Sequence, residues 1–199
     1  IKVGEETLKT KKLLIATGAS PILPPIEGLK EGLESKFVVT SKELLQVESI
    51  PDHLIIIGGG VIGVEFATIF ATVGSKVTII EKMDGILPMM DEDVRNQYVK
   101  VLKKDQIKIF ENASVQTVNK DGVEYEINGN KETLKGDLVL LSVGMKANLN
   151  GFESLDLKLE KHALFTDDYM RTSLDDVYAI GDVNGKYMLA HVASAEGLI

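Results

Sequence analysis

Residues 54–65 read LIIIGGGVIGVE, and this stretch decides the fold. Its first four residues are apolar, which is typical of a strand buried on both faces of a parallel sheet. The glycines that follow, Gly58, Gly60 and Gly63, have the spacing G-x-G-x-x-G. Between a strand and a helix, such glycines permit a tight turn, close approach of the backbone to a pyrophosphate, and close packing of the helix on the strand. We therefore expect a dinucleotide to bind at residues 58–63.

The residues after the glycines predict a helix whose first turn faces the same ligand. Apolar side chains recur at helical spacing from Ile62 to Val73, and Gly74 stands where a C-terminal cap belongs. A helix N-terminus offers unpaired N–H groups and a partial positive charge to phosphates. Glu65 lies in this first turn, where a carboxylate complements the helix dipole and is close to the expected cofactor.

Alternating strands and helices continue beyond this helix. Residues 77–80 predict a second strand and residues 107–110 a third. Between them, residues 91–104 predict a helix with acidic residues at its start and lysines at its end. The order β-α-β-α-β is that of the mononucleotide-binding half of a doubly wound fold. We therefore predict an α/β protein with a Rossmann-like domain.

The second strand of this unit ends in Glu81, 23 residues after Gly58. A carboxylate at this place accepts hydrogen bonds from the 2′-hydroxyl of the adenosine ribose and repels a 2′-phosphate. The adjacent Lys82 has the opposite charge and is able to accommodate a phosphate. On balance Glu81 favours NAD over NADP.

The remaining segments predict strands and one further helix. Asp121-Gly122 and Asn128-Gly129 are hairpin signals between short strands at 115–118, 123–127 and 132–134, which predict a β-meander. A buried strand at 138–143 ends at Gly144. Residues 1–49 predict a hairpin, a strand at 12–15 and a short helix at 41–46, capped by a serine at its first position. A last strand at 177–180 leads to Gly181-Asp182, either an ordinary turn or a site for a sugar hydroxyl, and then to a helix from about residue 190.

Composition excludes several classes of function. The net charge of −8 argues against a nucleic-acid or anionic-membrane surface, and no apolar run approaches the ~20 residues that span a bilayer. Cysteine is absent, and the three histidines have none of the spacings of a zinc site, so we expect no metal. We expect a cytoplasmic protein.

The whole chain resembles the pyridine nucleotide–disulfide oxidoreductases, which use both a flavin and NAD. The motifs that carry the resemblance are Ala16-Thr17-Gly18, the stretch 58–65, the strand ending at Glu81, the pair Val143-Gly144, and the stretches 178–183 and 188–191. Met188-Leu189-Ala190-His191, followed by a helix of small residues, is most similar to the members that oxidise dihydrolipoyl groups.

The resemblance implies a role for each of these residues. The NAD site would comprise Gly58, Gly59, Gly60, Val61, Ile62, Gly63, Val64, Glu65, Glu81, Val115 and Gly144, with Val61 near the flavin, Glu65 near the nicotinamide, Glu81 on the ribose and Val115 on the adenine. The FAD site would comprise Thr17, Gly18, Ala19, Asp182, Met188, Leu189, Ala190 and His191, with Asp182 on the ribitol. The same resemblance divides the chain into an FAD-domain segment at 1–49, an NAD-binding domain at 50–145 and a returning FAD or central-domain segment at 146–199.

The family pattern also has parts that this sequence lacks. Met145, Lys146 and Ala147 stand where an arginine and a nearby proline usually follow Gly144, and the redox-active cysteine pair, the N-terminal glycine motif and the C-terminal dimerisation domain are absent. The resemblance thus implies a central part of a homodimeric enzyme that passes electrons from the lipoyl domain of a 2-oxoacid dehydrogenase complex through FAD to NAD⁺. By itself the chain would be inactive.

Two other hypotheses remain open from the sequence. One is another member of the family, such as an NADH oxidase or a mercuric or coenzyme A disulfide reductase. The other is a stand-alone nucleotide-binding module without catalysis of its own.

Overall fold

The computed structural model describes residues 1–199, which form two compact units. The larger unit is a continuous stretch, residues 21–144, and the smaller unit combines residues 1–20 with residues 145–199. Each unit has its own buried apolar cluster.

The larger unit contains the longest helices and strands. Its helices are α1 (Leu29–Glu34), α2 (Ser41–Leu44), α3 (Val61–Thr72) and α4 (Glu92–Lys104). Its strands are β5 (Val38–Val39), β6 (His53–Ile57), β7 (Lys76–Ile80), β8 (Lys108–Phe110), β9 (Ala113–Asn119), β10 (Gly122–Ile127), β11 (Asn130–Leu134) and β12 (Leu138–Leu141).

Five parallel strands form the central sheet of this unit, in the order β5-β12-β6-β7-β8. Every residue of β6 is buried, as expected for a strand covered on both faces. The predicted α/β class and the β-α-β-α-β unit are confirmed by β6, α3, β7, α4 and β8.

Helices α3 and α4 begin in chemically different ways. At the start of α4, Asp91 occupies the N-cap position and two acidic residues follow in the first turn, which suits the positive end of the helix dipole. Helix α3 begins after Gly60 with no acidic residue in its first turn, so Glu65, which we expected there, lies in the second turn. Neither helix has a side-chain cap hydrogen bond. The chain leaves α3 through Gly74, whose φ of 103° is accessible mainly to glycine.

The predicted meander is also present. Strands β9, β10 and β11 form an antiparallel sheet in the order β11-β10-β9. Tyr125 on β10 is buried, packs its ring 5.3 Å from that of Phe110, and donates a hydrogen bond to Glu132. Burial and this carboxylate together raise the pKa of Tyr125 to about 12.

The smaller unit has short elements only. Its strands are β1 (Lys2–Val3), β2 (Glu6–Thr7), β3 (Leu13–Ile15), β13 (Met145–Ala147), β14 (Leu159–Glu160), β15 (Ala163–Leu164) and β16 (Val177–Ala179), and its helix is α5 (Ala190–Glu196). Strand β4 (Ala19–Pro21) runs up to the unit's edge. β3 and β16 pair in parallel, and Ile15, Leu164, Ala179 and Val183 are the buried centre. A short 3₁₀ helix, Gly181–Asn184, follows β16.

The structure differs from the sequence expectations at two places in residues 21–49. Thr40, rather than Ser41, precedes α2, and its backbone N–H and hydroxyl both interact with Glu43 in a capping box. The segment as a whole groups with the larger unit, because Val38-Val39 adds the strand β5 to the parallel sheet beside β12. Two-residue strands carry too little periodicity to be recognised from sequence.

None of the five helices combines the length and apolar character needed to cross a membrane.

Candidate nucleotide-binding site

The turn after β6 is built so that only glycine fits its first position. Gly58 has a φ of 105°, and a Cβ there would lie 2.5 Å from the carbonyl oxygen of Ser142. The Ser142 hydroxyl donates to two carbonyl oxygens, that of Ile57 at 3.1 Å and that of Gly58 at 3.0 Å. The end of β12 therefore holds the turn in place from the side.

The first turn of α3 lies directly over this glycine turn. A Cβ at Gly63 would be 2.2 Å from the carbonyl oxygen of Gly58, so the helix packs closer to the strand end than any other residue allows. By contrast, no atom lies within 4 Å of the position where Gly60 would carry a Cβ. No side chain caps α3, so its first N–H groups, next to this open position, have no side-chain partner. This cradle fits an anion, and the pyrophosphate of a dinucleotide is the anion that such a loop recognises.

Glu81 lies beside the same loop. Its side chain is only 8% exposed. Oε2 accepts a hydrogen bond of 2.6 Å from the N–H of Gly59, and Oε1 accepts one of 2.7 Å from the N–H of Met83. Each oxygen keeps a further lone pair for a ligand hydroxyl. The residue that was expected to hold the adenosine ribose is therefore fixed against the glycine loop.

The segment after Glu81 folds back over the loop. The N–H of Leu87 donates to the carbonyl of Gly59 at 2.8 Å, and Leu87 has a φ of 52°, which is unusual for a bulky residue. Ile86 is fully buried and would lie 2.5 Å from a Cβ at Gly59. Both polar backbone groups of Gly59 are thus bonded within the protein, which leaves the N–H groups of the α3 first turn for a ligand.

An apolar groove of about 730 Å³ adjoins the first turn of α3. Val61, Val64 and Glu65 line it from α3, and Leu87 and Met90 from the connecting segment. Helix α4 supplies the remaining lining: Asp93, Val94, Gln97, Tyr98 and Val101. Val61 and Glu65 are exposed, whereas Ile62 is half-buried and Val64 is buried against the sheet.

Two further predicted residues of the larger unit are Gly144, which follows β12, and Val115, which lies within β9. Gly144 has a φ of 122°, and its carbonyl accepts a hydrogen bond from the N–H of Ile22. Val115 is half-buried on β9, opposite Tyr125. Strand β9 reaches the site because the N–H of Ala113 donates to the carbonyl of Glu81.

The predicted residues of the smaller unit form a second group. Thr17 donates its hydroxyl hydrogen bond to the carbonyl of Asn148, whose side-chain Nδ2 donates in return to the carbonyl of Thr17. The N–H of Asn148 also donates to the carbonyl of Gly18. Ala19, the next residue, is half-buried and begins β4. Asn148 was missed by the sequence reasoning, and as a single asparagine it gave no signal.

The other half of this second group follows β16. Asp182 is half-buried and its carboxylate makes no hydrogen bond within the protein, so it is available to a ligand. Met188, Leu189, Ala190 and His191 are exposed at the start of α5. The Asp182 turn is fixed by Glu196, which sequence reasoning also missed.

The site of the larger unit defines a class: an α/β protein with a glycine loop of the G-x-G-x-x-G type between a strand and a helix. The comparisons identify the family. The family model described as pyridine nucleotide-disulphide oxidoreductase matches residues 1–197, and the chain belongs to this family. It is a family of oxidoreductase enzymes, and the resemblance that the sequence suggested is confirmed.

Several curated relatives carry the name dihydrolipoyl dehydrogenase. That of Acholeplasma laidlawii is 54% identical over 198 residues, which cover 100% of this chain and 59% of the relative. That of Bacillus subtilis is 38% identical over 207 residues, which cover 98% of this chain and 43% of the relative. The chain therefore spans about half the length of these relatives.

Solved structures show the same fold. The Cu(II) complex of an HOCl-induced flavoprotein disulfide reductase from Escherichia coli has a TM-score of 0.84 at 31% identity, covering 94% of this chain and 43% of that one. An engineered water-forming NADPH oxidase bound to NADPH has a TM-score of 0.83, covering 97% and 46% of the two chains. At 23% identity the latter shows the fold alone.

Proposed function

We propose that this chain is the NAD(H)-binding central portion of a flavoprotein that oxidises protein-bound dihydrolipoyl groups with NAD⁺. The observation that carries the proposal is the uncapped first turn of α3 over an open space at Gly60, with the buried Glu81 carboxylate beside it. The names of the relatives supply the substrate, because several of them are dihydrolipoyl dehydrogenases.

In this proposal the residues of the larger unit bind NAD. The N–H groups of Val61, Ile62 and Gly63 receive the pyrophosphate, while Gly58, Gly59 and Gly60 form the turn beneath it. Glu81 accepts hydrogen bonds from the adenosine ribose, and Val115 and Gly144 line the ends of the dinucleotide. Glu65 and Val61 lie where the nicotinamide end enters, on the part of α3 that faces the apolar groove. Val64 anchors this turn in the core.

The residues of the smaller unit hold part of FAD. The free carboxylate of Asp182 is suited to a ribityl hydroxyl, since a carboxylate is a strong acceptor. Thr17, Gly18 and Ala19 form a segment that Asn148 holds by hydrogen bonds to Thr17 and Gly18. Met188, Leu189, Ala190 and His191 present exposed side chains that the isoalloxazine ring would cover.

The overall reaction balances without any further reactant. A dihydrolipoyl dithiol loses two electrons and two protons as its disulfide bond forms. NAD⁺ takes up the two electrons with one proton as NADH, and the second proton enters solvent. FAD, when bound, supplies a two-electron carrier between the dithiol and NAD⁺. The chain has no cysteine, so we expect it to bind nucleotide without oxidising a dithiol by itself.

The same proposal covers the oligomeric state, the cellular location and the protein partner. We infer that the active protein is a homodimer of the cytoplasm that receives the lipoyl domain of a 2-oxoacid dehydrogenase complex. The net charge of −8 is compatible with the absence of nucleic-acid and membrane partners.

Substitution of Gly60 tests the nucleotide site. Its φ of −71° is open to any residue and its Cβ would meet no protein atom, so Gly60→Val should fold normally while filling the space for the pyrophosphate. We expect the unsubstituted chain to bind NADH more tightly than NADPH by about tenfold or more, and Gly60→Val to bind neither. Circular dichroism and the melting temperature control for folding. Equal affinity for NADH in the two proteins would refute the site.

A second candidate is another disulfide reductase of the family. The E. coli flavoprotein disulfide reductase favours it, because its fold matches at a TM-score of 0.84 with 31% identity. Assay of the full-length gene product separates the two candidates. Reduction of NAD⁺ by dihydrolipoamide supports the first, whereas consumption of NADH with oxygen or with other disulfides, and no reaction with dihydrolipoamide, supports the second.

A further inference from the structure

Glu196, the last residue of α5, is a buried carboxylate with an unusual set of partners. Its side chain is 7% exposed. Oε2 accepts a hydrogen bond of 2.6 Å from the N–H of Gly181, and Oε1 accepts one of 3.0 Å from Nδ2 of Asn184. These two donors are the first and last residues of the 3₁₀ helix Gly181–Asn184.

No cation accounts for the burial of this charge. The ion pairs of the chain are Lys12 with Asp176 and Lys30 with Glu34, and neither involves Glu196. A buried carboxylate without a cation is costly unless strong hydrogen bonds replace its water. Glu196 is therefore fixed by the Gly181–Asn184 turn, and it fixes the turn in return.

The turn held in this way carries Asp182 between its two bonded ends. Gly181 has a φ of 71°, and its Cα faces Ala193 of α5 so closely that a Cβ would be 3.2 Å from the Ala193 Cβ. The side chain of Asn184 is buried and its Oδ1 accepts from the N–H of Lys186. Asp182 alone in the turn presents a carboxylate with no bond inside the protein.

We infer that Glu196 is a positioning residue for Asp182. By bonding both ends of the turn, it holds the Asp182 carboxylate in the orientation that receives the ribityl hydroxyls of FAD. Because Glu196 is the last residue of α5, these hydrogen bonds also join the turn to that helix. The inference rests on the proposed role of Asp182 in binding FAD.

A double-mutant cycle on the full-length gene product tests the inference. The dissociation constant of FAD would be measured by flavin fluorescence for the wild type, Asp182→Asn, Glu196→Gln and the double variant. Glutamine has one acceptor for two donors, so we expect Glu196→Gln to weaken FAD binding about tenfold. Because Glu196 acts through Asp182, the double variant should bind FAD about as weakly as Asp182→Asn alone. The exposed Glu160→Gln on β14 should have no effect.

The outcomes separate the inference from the proposed function. If Asp182→Asn leaves FAD affinity unchanged, the proposed flavin site is wrong. If Asp182→Asn weakens binding while Glu196→Gln does not, or if their effects simply add, only the inference is wrong. Should Glu196→Gln fail to fold, Asn184→Ala removes one of the two bonds instead, and it should weaken FAD binding in the same non-additive manner. An additive effect of Asn184→Ala would likewise overturn the inference.

The amide proton of Gly181 provides a second measurement, which does not require bound flavin. In nuclear magnetic resonance spectra of the chain, a hydrogen bond of 2.6 Å to a carboxylate should shift this proton downfield and slow its exchange. Glu196→Gln should reverse both effects, and an unchanged Gly181 signal would contradict the inference.

Discussion

The backbone N–H of Gly59 donates a hydrogen bond of 2.6 Å to Oε2 of Glu81. The carboxylate at the end of β7 therefore holds the glycine loop that follows β6, in addition to its expected role toward a ribose. The carbonyl oxygen of the same residue, Gly59, accepts a hydrogen bond of 2.8 Å from the Leu87 N–H. The middle glycine of the loop is thus locked from both sides before any ligand arrives, and such preorganisation reduces the cost of binding.

This hydrogen bond predicts that removing the charge of Glu81 is not enough to change the nucleotide preference from NADH to NADPH. Glu81→Ala removes the repulsion of a 2′-phosphate, but it also leaves the Gly59 N–H without its acceptor. We expect NADH binding to weaken by about ten- to hundredfold and the preference for NADH to narrow. NADPH should still bind less tightly to the variant than NADH binds to the wild type.

Isothermal titration calorimetry with NADH and with NADPH measures the two affinities. The exposed Glu124→Gln on β10 removes one negative charge from the same unit and should change neither affinity. Glu81→Ala that binds NADPH as tightly as the wild type binds NADH would show that the loop does not depend on Glu81.

Alanine substitutions at Gly58 and Gly74 separate the cost of backbone strain from the cost of a steric collision. Their φ values are 105° and 103°, but a Cβ at Gly58 would collide with the Ser142 carbonyl, whereas a Cβ at Gly74 would meet nothing within 4 Å. Both alanine substitutions carry the backbone strain, so the difference between them reports the collision. We expect Gly58→Ala to lower the free energy of unfolding by about 2 kcal/mol more than Gly74→Ala. Urea denaturation measures both values, and equal losses would contradict the close approach at Gly58.

Ser142 is predicted to support the loop through its hydroxyl. Ser142→Ala removes the donor to the carbonyls of Ile57 and Gly58 without filling new space. We expect a loss of about 1 kcal/mol of stability and a several-fold weaker affinity for NADH. The exposed Ser49→Ala is the matched control. If both variants bind NADH like the wild type, the hydroxyl does not position the loop.

The sequence was sufficient to predict those parts of the fold that are governed by long periodic patterns. The strand β6, the helix α3 and the glycines between them have both strong periodicity and a specific turn chemistry, and they form as expected. The location of Glu81 beside the loop also follows, because parallel strands end at the same edge of a sheet.

The parts that could not be predicted depend on contacts between distant residues. β5 has two residues and exists because β12, about a hundred residues later in the chain, pairs with it. Asn148 bonds Thr17 across 131 residues, and Ser142 bonds Gly58 across 84. A polar residue that supports a site in this way has no local spacing by which it can be recognised, and Glu196 is a further example.

His53 predicts how the stability of the larger unit depends on pH. It is buried at the start of β6, where its Nε2 lies 2.9 Å from the hydroxyl of the fully buried Thr78. Burial lowers the pKa of His53, and the nearby Lys76 lowers it further. Asp137 and the backbone at Lys135 oppose this shift, and Lys108 adds to it. The unfolded chain therefore binds a proton more readily than the folded one.

The sign of the effect follows from this difference. The contribution of His53 to stability is fully present above its unfolded pKa of about 6.5, and it is lost as the pH falls from there through the lowered folded pKa. The melting temperature should thus decrease as the pH is lowered from 7.5 to 5.5. In His53→Gln, which has no proton to gain, this decrease should be smaller, although the variant is less stable at pH 7.5. The exposed His162→Gln should retain the decrease of the wild type. Identical pH profiles for His53→Gln and the wild type would exclude His53 as the titrating group.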